Sequence, residues 1–401
     1  MEKQNKAYRF RIYPDEAQKA FILRTFGCCR FVWNHLLDER LSVLETTGRY
    51  MNSTPAHLKA EYAFLKEVDA QALCNVQMQL NKAFADYKRN PAYFKKPCFK
   101  AKHHSRNSYT TNLIKGNVRI NQKEKTIRLP KVGEVRIVLH RNLKKEERIK
   151  SVTVSMESGG RYYVSVLVEY SAKNTAPVPV DAANVLGLDY SSPFFYVDEH
   201  GDKASNHRKF FRENEIKLAK AQRALTRMKK GSNNWNRQKT KVGAINAKIA
   251  DSRRDWIEKE TAALSVRYDA IIVEGINMKD ISQGLHLGKS TLDNGWGLFR
   301  QRLEEKLHAK GKQLVVLDRW EPSTKKCCRC GALIPGLTLN DRIVTCPSCG
   351  SVMDRDVQAA MNIKQSGMKL LWDAEVEPVD TGDQISLSRK ERCPDTYSVV
   401  R

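Results

Sequence analysis

Two cysteine pairs near the C-terminus constrain this 401-residue chain more than any other feature. Cys327 and Cys330 form one C-x2-C pair, and Cys346 and Cys349 form a second, with fifteen residues between them. Four thiolates at this spacing predict a closed tetrahedral zinc site, in which the ion is structural and not catalytic. Cys328 adjoins a ligand and cannot easily join the same tetrahedron, so we expect it to be a spare thiol.

The balance of charge indicates the kind of partner. Lys and Arg number 70 against 45 Asp and Glu, which gives a formal net charge of +25. A polyanion is the simplest partner for so basic a chain. No apolar run approaches the roughly 18 to 20 residues of a spanning helix, and no apolar signal core follows Met1. We therefore expect a cytoplasmic protein with reduced thiols and no membrane partner.

The N-terminal part is expected to be a strand-rich body that carries a helical insertion. The alternation KAYRFRIYP is typical of a strand that Pro14 stops, and apolar residues at helical spacing follow as far as about residue 88. Residues 88–106 mix basic, Pro and aromatic residues without periodicity, which predicts a loop able to lie on phosphates. Short strands are expected over 108–170, and the Pro- and Ala-rich segment that follows is the predicted domain boundary.

Beyond that boundary the pattern becomes strand, long helices, strand, helix, strand. Phe211 to about Ala263 predicts a pair of charged helices broken at residues 229–234. This pair is either a solvated hairpin or a basic arm that lies along nucleic acid. The C-terminal tail is rich in Glu, Asp, Ser and Pro and is expected to be disordered.

Apolar strands in the second half each lead to a carboxylate. Asp189 follows the run VLGL, Glu274 follows AIIV, and Asp318 follows QLVVL. A final helix is expected to have Asp356 at or near its N-cap and to end at Gly367. Isolated buried carboxylates are costly, so acids in such positions are expected to be paired or to hold a cation.

Carboxylates that meet at one sheet edge provide hard oxygen ligands for divalent cations. Asp189, Glu274 and Asp356 are the predicted catalytic and metal-binding acids, and Asp354 and Asp318 are the alternatives for the third place. Asp356 is preferred because it heads a helix whose apolar side would pack on the sheet. Such ligands suit two Mg²⁺ or Mn²⁺ ions, which can activate water and stabilise the leaving oxygen in phosphodiester hydrolysis.

The sequence resembles the TnpB family, transposon-encoded RNA-guided DNA endonucleases that are related to compact type V CRISPR effectors. The resemblance rests on GLDYSSPFFYVDEHG, VEGINM, the CCRCG and CPSCG pairs, DRDVQAAMNI, and the N-terminal YRFRIYPDEAQKAFILRTFGCCRFVWNHLLDER. It covers roughly residues 6 to 368. The family commonly has Asn in the motif D-x-N-A-A after the final acid, where this chain has Gln358.

The resemblance implies an α+β multidomain fold. Its expected parts are a wedge-like β-barrel over 1–170 with a helical recognition insertion at about 15–90, a linker at 171–184, a RuvC-like nuclease domain of ribonuclease-H fold over 185–326 with the helical hairpin, an inserted zinc ribbon at 327–350, a final RuvC segment at 351–370, and a disordered tail at 371–401.

The resemblance also implies an activity and partners. It implies an RNA-guided, magnesium-dependent endonuclease that cuts double-stranded target DNA beside a short flanking motif, in a prokaryotic, nucleoid-associated setting. The guide RNA would come from the end of the mobile element. The resemblance assigns catalysis to Asp189, Glu274 and Asp356 and zinc to the four cysteines. Nucleic-acid contacts are expected at Arg9, Arg30, Asn34, Gln71, Asn75 and Tyr109.

Three alternatives stay open at this point. The first is an RNA-guided DNA-binding repressor, which the loss of a catalytic acid would mark; all three acids are present. The second is a compact type V CRISPR effector, which a repeat array beside the gene would distinguish from a transposon protein. The third is a zinc-ribbon DNA-binding protein that assists a transposase and needs no guide, but it leaves the strand-end acids unexplained.

Overall fold

The computed structural model of the chain describes residues 3–49, 53–102, 105–157, 159–171, 176–204, 207–284, 288–338 and 341–376. The chain divides into two compact units. The first comprises Met1–Ala176 and Phe210–Arg254, and the second comprises Pro177–Lys209 and Asp255–Arg401. The division falls inside the predicted linker 171–184. The helical hairpin, expected within the nuclease domain, belongs to the first unit over most of its length.

The first unit combines one antiparallel sheet with helices. Its strands are β1 (Lys3–Tyr13), β2 (Asn107–Asn112), β3 (Arg119–Asn121), β4 (Thr126–Leu129), β5 (Gly133–Val138), β6 (Arg148–Met156) and β7 (Tyr162–Ser171). Its helices are α1 (Glu16–Thr47), α2 (Pro55–Glu61), α3 (Ala70–Arg89), α4 (Phe210–Thr226) and the first part of α5 (Asn233–Arg267), with a 3₁₀ turn at Ala63–Lys66. No helix among the described residues is long and apolar enough to cross a membrane.

The sheet of the first unit runs in the order β2-β6-β7-β1-β5-β4-β3. Strand β1 is central because it lies between β7 and β5. It pairs with β7 along most of its length, from Lys3 opposite Ser171 to Ile12 opposite Tyr162. Within the described residues the edge strands β2 and β3 do not pair with each other. The strands therefore form a curled sheet whose two edges are not joined, where the resemblance implied a wedge-like β-barrel.

A capping box starts the long helix α1. The Asp15 side chain accepts the backbone N–H of Gln18 at 2.8 Å, and the Gln18 side chain accepts the backbone N–H of Asp15 at 3.1 Å. The buried side of α1, which includes Ile22, Val32 and Leu36, belongs to the same hydrophobic core as the inward side chains of the sheet. The predicted strand, Pro14 stop and capped helix are therefore all present.

An ion-pair network ties α5 to the β6–β7 turn within the first unit. Arg161 donates to Asp251 of α5 at 2.7 Å and to Glu157 at 2.9 Å. At Gly159 an added Cβ would lie 3.4 Å from the backbone of Ala244, so the turn and the helix approach closely. These contacts explain why the start of α5 belongs to the first unit.

The second unit is built around a four-stranded sheet. Its strands are β8 (Val185–Ser191), β9 (Phe195–Asp198), β10 (Ala270–Glu274) and β11 (Gln313–Leu317), and a separate hairpin contains β12 (Ile343–Thr345) and β13 (Val352–Asp354). Its helices are the rest of α5, α6 (Met278–Gly284), α7 (Gly288–Asn294), α8 (Trp296–His308) and α9 (Arg355–Val376), with a 3₁₀ turn at Ala182–Asn184. The order is β11-β10-β8-β9, with the first three strands parallel and β9 antiparallel to β8.

Helix α9 packs against this sheet at unusually short range. At Gly187 of β8 an added Cβ would lie 2.3 Å from the carbonyl oxygen of Ala360 in α9. At Gly367 of α9 an added Cβ would lie 2.3 Å from Cγ2 of Ile272 in β10. One glycine on each surface therefore lets the helix and the sheet touch, and this close packing fixes the position of α9 on the sheet.

Two predictions about α9 were wrong. Gly367 does not end the helix, because it has helical backbone and supplies close packing instead of a left-handed cap. The helix continues to Val376, six residues into the segment that was expected to be a disordered tail. The rest of that predicted tail, residues 377–401, lies outside the described residues.

Candidate metal centres

The four cysteines of the two pairs come together in one cluster. The Sγ atoms of Cys327, Cys330, Cys346 and Cys349 all lie within 4.8 Å of one another, and within the described ranges no other group of three or more His, Cys, Asp or Glu side chains does so. The Cys327–Cys349 and Cys330–Cys346 sulfur separations are 3.7 and 3.6 Å. A tetrahedron with metal–sulfur bonds of about 2.3 Å has sulfur–sulfur edges of roughly 3.8 Å. The cluster therefore has the dimensions of a four-thiolate metal site.

Two tight turns form this cluster locally. The N–H of Gly331 donates to the carbonyl of Cys327 at 2.9 Å, and the N–H of Gly350 donates to that of Cys346 at 3.0 Å. Both glycines have positive φ, which a side chain would disfavour. Backbone N–H groups in the turns also lower the pKa of Cys327 and of Cys346. The turns therefore favour the thiolate form, which binds a metal, at Cys327 and Cys346.

Cys328 lies outside the cluster. Its Sγ is 3.4 Å from Sδ of Met353 in β13 and 3.6 Å from Sδ of Met361 in α9. The side chain of Gln365 donates to its carbonyl at 3.0 Å. Cys328 is therefore a packing residue that joins the cysteine turns to the hairpin and to α9.

The second centre contains the three acids that the sequence singled out. Asp189 lies within β8, which continues to Ser191 instead of ending at the acid. Glu274 ends β10, and Asp356 lies in the first turn of α9. Burial and the negative charges of Glu274 and Asp356 raise the pKa of Asp189 well above its usual value. The fold thus brings three acids that are distant in sequence near enough for Glu274 and Asp356 to act electrostatically on Asp189, although their carboxylate oxygens do not all lie within 4.8 Å of one another.

A serine that sequence reasoning missed holds Glu274. Burial raises the pKa of Glu274, and a hydrogen bond from the Ser323 hydroxyl opposes that rise. Asn362 of α9 positions the serine, because its side-chain amide donates to the carbonyls of Ser323 and Lys326, each at 2.6 Å. Gln358, one turn earlier, donates to the Thr324 carbonyl at 3.4 Å. Two polar residues one turn apart on the buried side of a predicted helix were the available sequence signal.

The structure gives Asp356 and its two rivals different positions. Asp354 is the N-cap of α9, because its Oδ1 accepts the N–H of Asp356 at 2.8 Å and that of Val357 at 3.3 Å. Asp356 therefore lies two residues past the cap, in the first turn of α9, which agrees with the prediction that it sits at or near the N-cap. Asp318 is exposed, and its Oδ1 accepts the N–H of Trp320 in a local turn.

Two arginines neutralise Asp356. Its carboxylate lies 3.1 Å from the Arg355 guanidinium and 3.4 Å from that of Arg342, which precedes β12. The Asp356 side chain is only 13% exposed, so these charges are needed to offset its lost hydration. Arg342 also couples the cysteine-bearing hairpin to the first turn of α9, which carries Asp356.

A buried ion pair connects β8 to α9. Glu199 is buried, and its Oε2 accepts the N–H of Gly187 at 3.0 Å. Its Oε1 accepts a hydrogen bond from Lys364 at 3.0 Å. Gly187 lies two residues before Asp189, and Lys364 lies about two turns after Asp356. The pair therefore fixes the position of β8, which carries Asp189, relative to α9, which carries Asp356.

The expected nucleic-acid contacts all lie in the first unit, where most have intramolecular partners. Arg9 pairs with Glu157 at 2.5 Å, Asn34 bonds the backbone of Lys100, Asn75 donates to the carbonyls of Gln71 and Thr110, and Tyr109 is buried beside Phe26. Gln71 and Arg30 are half-exposed. Arg30 lines a polar cavity together with Gln79, Lys100, Arg106, Asn107 and Ser108. Because Arg30 lines this cavity, its contact with nucleic acid stays a prediction.

Three family profiles match the chain. The first is "Cas12f1-like, TNB domain" over residues 296–363, which spans α8, β11, the cysteine cluster and the start of α9. The second is the OrfB_IS605 "Helix-turn-helix domain" over 1–49, where the structure has strand β1 followed by the single helix α1. The third is the OrfB_IS605 profile "Probable transposase" over 164–284.

Similar proteins extend these matches over most of the chain. A curated Streptomyces pristinaespiralis protein named "Putative RNA-guided DNA endonuclease" is 34% identical over 380 residues, which cover 92% of this chain and 90% of that protein. Escherichia coli (strain K12) InsQ, with the same description, is 29% identical over 392 residues, covering 92% and 94%. The Cas12f1 chain of a Cas12f1–sgRNA–target DNA complex superposes with a TM-score of 0.53 at 12% identity, covering 90% of this chain and 99% of that chain.

Proposed function

Because this chain belongs to the TnpB family of transposon-encoded RNA-guided DNA endonucleases, we propose that it hydrolyses target DNA at the cluster of Asp189, Glu274 and Asp356. One observation carries the assignment of this site. The pKa of Asp189 is raised by burial and by both of the other acids, which chain distance alone gives no reason to bring together. Crowded carboxylates need positive charge, and a nuclease site uses divalent cations for that purpose.

The acid cluster fits Mg²⁺ or Mn²⁺ by the chemistry of its donors. Its three carboxylates offer only hard oxygen ligands, and bound cations would offset the burial and the repulsion that together raise the pKa of Asp189. Two such ions, when bound, supply the activation of water and the stabilisation of the leaving oxygen. Asp189 and Glu274 would hold them from the sheet, and Asp356 from α9.

The surrounding residues orient these ligands. Ser323 donates to Glu274 and leaves its second oxygen available, while Asn362 keeps the serine in place. Arg355 and Arg342 hold the Asp356 carboxylate by ion pairs at 3.1 and 3.4 Å. Orienting partners of this kind typically affect metal affinity or activity by about 10- to 100-fold.

We assign the cysteine cluster to a structural Zn²⁺. Four thiolates complete a tetrahedron, so the ion has no open position and takes no part in hydrolysis. Its role is mechanical: the ribbon of residues 327–350 contains Arg342, which pairs with Asp356, and Cys328, which contacts α9. The parallel order of β11, β10 and β8, with antiparallel β9 and α9 against the sheet, supports a RuvC-like domain of ribonuclease-H fold.

The partners follow from the family and the charge. A guide RNA from the element end would select the target by base pairing, and the protein would read a short motif beside it. The net charge of +25 suits a chain that holds two polyanions at once. The Cas12f1 complex with guide RNA and target DNA supports this arrangement by its similar fold.

The test begins with the RNA. The protein is expressed with its native flanking DNA and purified, and the RNA that accompanies it is sequenced. A discrete RNA that ends in sequence from just outside the gene is expected, and DNA that matches it should be cut only when Mg²⁺ or Mn²⁺ is added. Heterogeneous RNA would contradict the proposal. So would a failure to cut any guide-matched DNA when the flanking motif is varied across a library.

A further inference from the structure

Trp320 is the most exposed of the six tryptophans in the chain. Its side chain is 78% exposed, whereas Trp33, Trp256 and Trp296 are buried. Its chain neighbours Asp318, Arg319 and Glu321 are also exposed, and all three are charged. A flat ring flanked by charged residues differs from the core of a protein–protein interface, where charged residues are depleted.

The backbone holds Trp320 in place at the sheet edge that carries the acids. Glu274 pairs with Leu317 in the β10–β11 register, so the Trp320 turn begins at the level of that acid. The Asp318 carboxylate accepts the N–H of Trp320 at 2.9 Å, and the Asp318 carbonyl accepts that of Glu321 at 3.2 Å. The same segment then reaches Ser323, which donates to Glu274.

An arginine supports the indole. The Arg319 guanidinium lies 4.7 Å from the centroid of the Trp320 ring and is itself held by Asp280 at 3.0 Å. Lys325 and Lys326 follow within the same segment and add positive charge. A supported aromatic ring with cations beside it has the features of a platform for nucleotides, because the ring stacks on a base while the cations attract phosphates.

We propose that Trp320 stacks on an unpaired base of the DNA strand held at the carboxylate cluster, and that this contact sets which phosphodiester reaches the acids. The inference rests on the proposed function and adds a positioning residue to it. Every base has an aromatic face, so stacking suits an enzyme whose target sequence is chosen by the guide and not by the protein. Trp320 contacts the base and leaves the reacting phosphate to the acids.

The first test is single-turnover cleavage of guide-matched DNA by Trp320→Ala, Trp320→Phe and the control Trp372→Ala. Trp372 is also exposed but lies near the far end of α9. Trp320→Ala should cleave about 5- to 100-fold more slowly, since one base–aromatic stack has about that effect. Trp320→Phe should stay within about threefold of wild type because it keeps a ring, and Trp372→Ala should match wild type.

An abasic nucleotide, moved stepwise along the target strand, locates the base. At one position it should slow the wild type by the same factor as Trp320→Ala and should not slow that variant further. Equal rates for wild type and Trp320→Ala at every position, or losses that multiply at the sensitive position, would overturn the inference.

A binding measurement separates this inference from the proposed function. The Asp189→Asn variant with its guide is mixed with target DNA that carries 2-aminopurine at each position in turn. Stacking is supported if 2-aminopurine fluorescence is quenched by the Asp189→Asn variant and not by the Asp189→Asn, Trp320→Ala double variant. This result would support stacking even if the wild type cuts no DNA. Cleavage by the wild type with no Trp320-dependent quenching would reject stacking and leave the proposed function standing.

Discussion

The cysteine cluster takes its four sulfurs from residues 327–349, whereas the carboxylate cluster takes its acids from three elements spread over residues 189–356. The sulfurs are positioned by hydrogen bonds within each pair, such as that from Gly331 to Cys327. The acids depend on how β8, β10 and α9 pack. Short-range hydrogen bonds therefore shape each half of the cysteine cluster, whereas the acids are brought near one another only by the packing of separate elements.

This difference predicts how each centre fails. Loss of a cysteine should remove the proposed zinc ion and destabilise the small hairpin, and the damage should spread to Asp356 through Arg342. Loss of an acid removes chemistry and leaves the packing intact. Changes to the contacts between α9 and the sheet should fall between these extremes, because they move the acids without deleting them.

The largest effect is expected from Cys346→Ser. Structural zinc sites contribute on the order of 10 kcal/mol, and three thiolates with one hydroxyl cannot match that affinity. The dialysed variant should fall from one zinc ion per chain to almost none by elemental analysis, and it should also lose cleavage. Cys328→Ser is the matched control and should keep its zinc; a loss of zinc there as well would break the distinction between the two cysteines.

Asp189→Ala is expected to have the next largest effect. It sharpens the comparison because it should abolish cleavage without disturbing the fold. Cleavage of guide-matched DNA should fall at least about 1,000-fold, because the site loses a ligand for its cations at a cost of several kcal/mol. Zinc content, RNA content and DNA binding should be unchanged. If this variant cuts as fast as the wild type, the carboxylate cluster is not the nuclease site.

The Glu199–Lys364 pair tests the tertiary scaffold. Lys364→Met leaves a buried carboxylate without its cation, which should lower the free energy of unfolding by about 3 kcal/mol in urea titrations. Adding Glu199→Gln should recover part of that loss, because the unpaired charge is then gone. A double variant that is less stable by the sum of both single effects would show that the two residues do not act as a pair.

The smallest expected effect comes from Gly367→Ala. The new methyl group would meet Ile272 at 2.3 Å, so we expect a loss of about 1–3 kcal/mol in stability and slower cleavage. Gly297→Ala in α8 is the control, since its Cβ would meet nothing within 4 Å, and helix propensity predicts a gain of up to about 1 kcal/mol. Equal melting temperatures for the two variants would contradict the proposed close packing of α9.

How much the sequence predicts follows the same division. The four cysteines could be grouped from spacing alone. Asp189 and Glu274 could be proposed from their places after apolar runs, and Asp356 from its place at the start of a predicted helix. Ser323, Glu199 and Lys364 could not, because each acts through a partner distant in the chain. Gly367 was misassigned because a glycine near the end of a helical pattern looks the same whether it caps the helix or packs against a strand. The seven-stranded sheet was expected as strands, but its open order depends on pairing that no local pattern specifies.

The most direct test of the account compares Asp356→Asn with Asp318→Asn in guide-loaded protein. Asp318 and Asp356 were both candidates for the third acid of the site. Of these two, only Asp356 contributes to the raised pKa of Asp189. Single-turnover cleavage of matched DNA in Mg²⁺ should fall at least about 1,000-fold for Asp356→Asn and stay within about threefold for Asp318→Asn. The reverse order, or wild-type rates for both, would contradict the assignment of Asp189, Glu274 and Asp356 as the nuclease site.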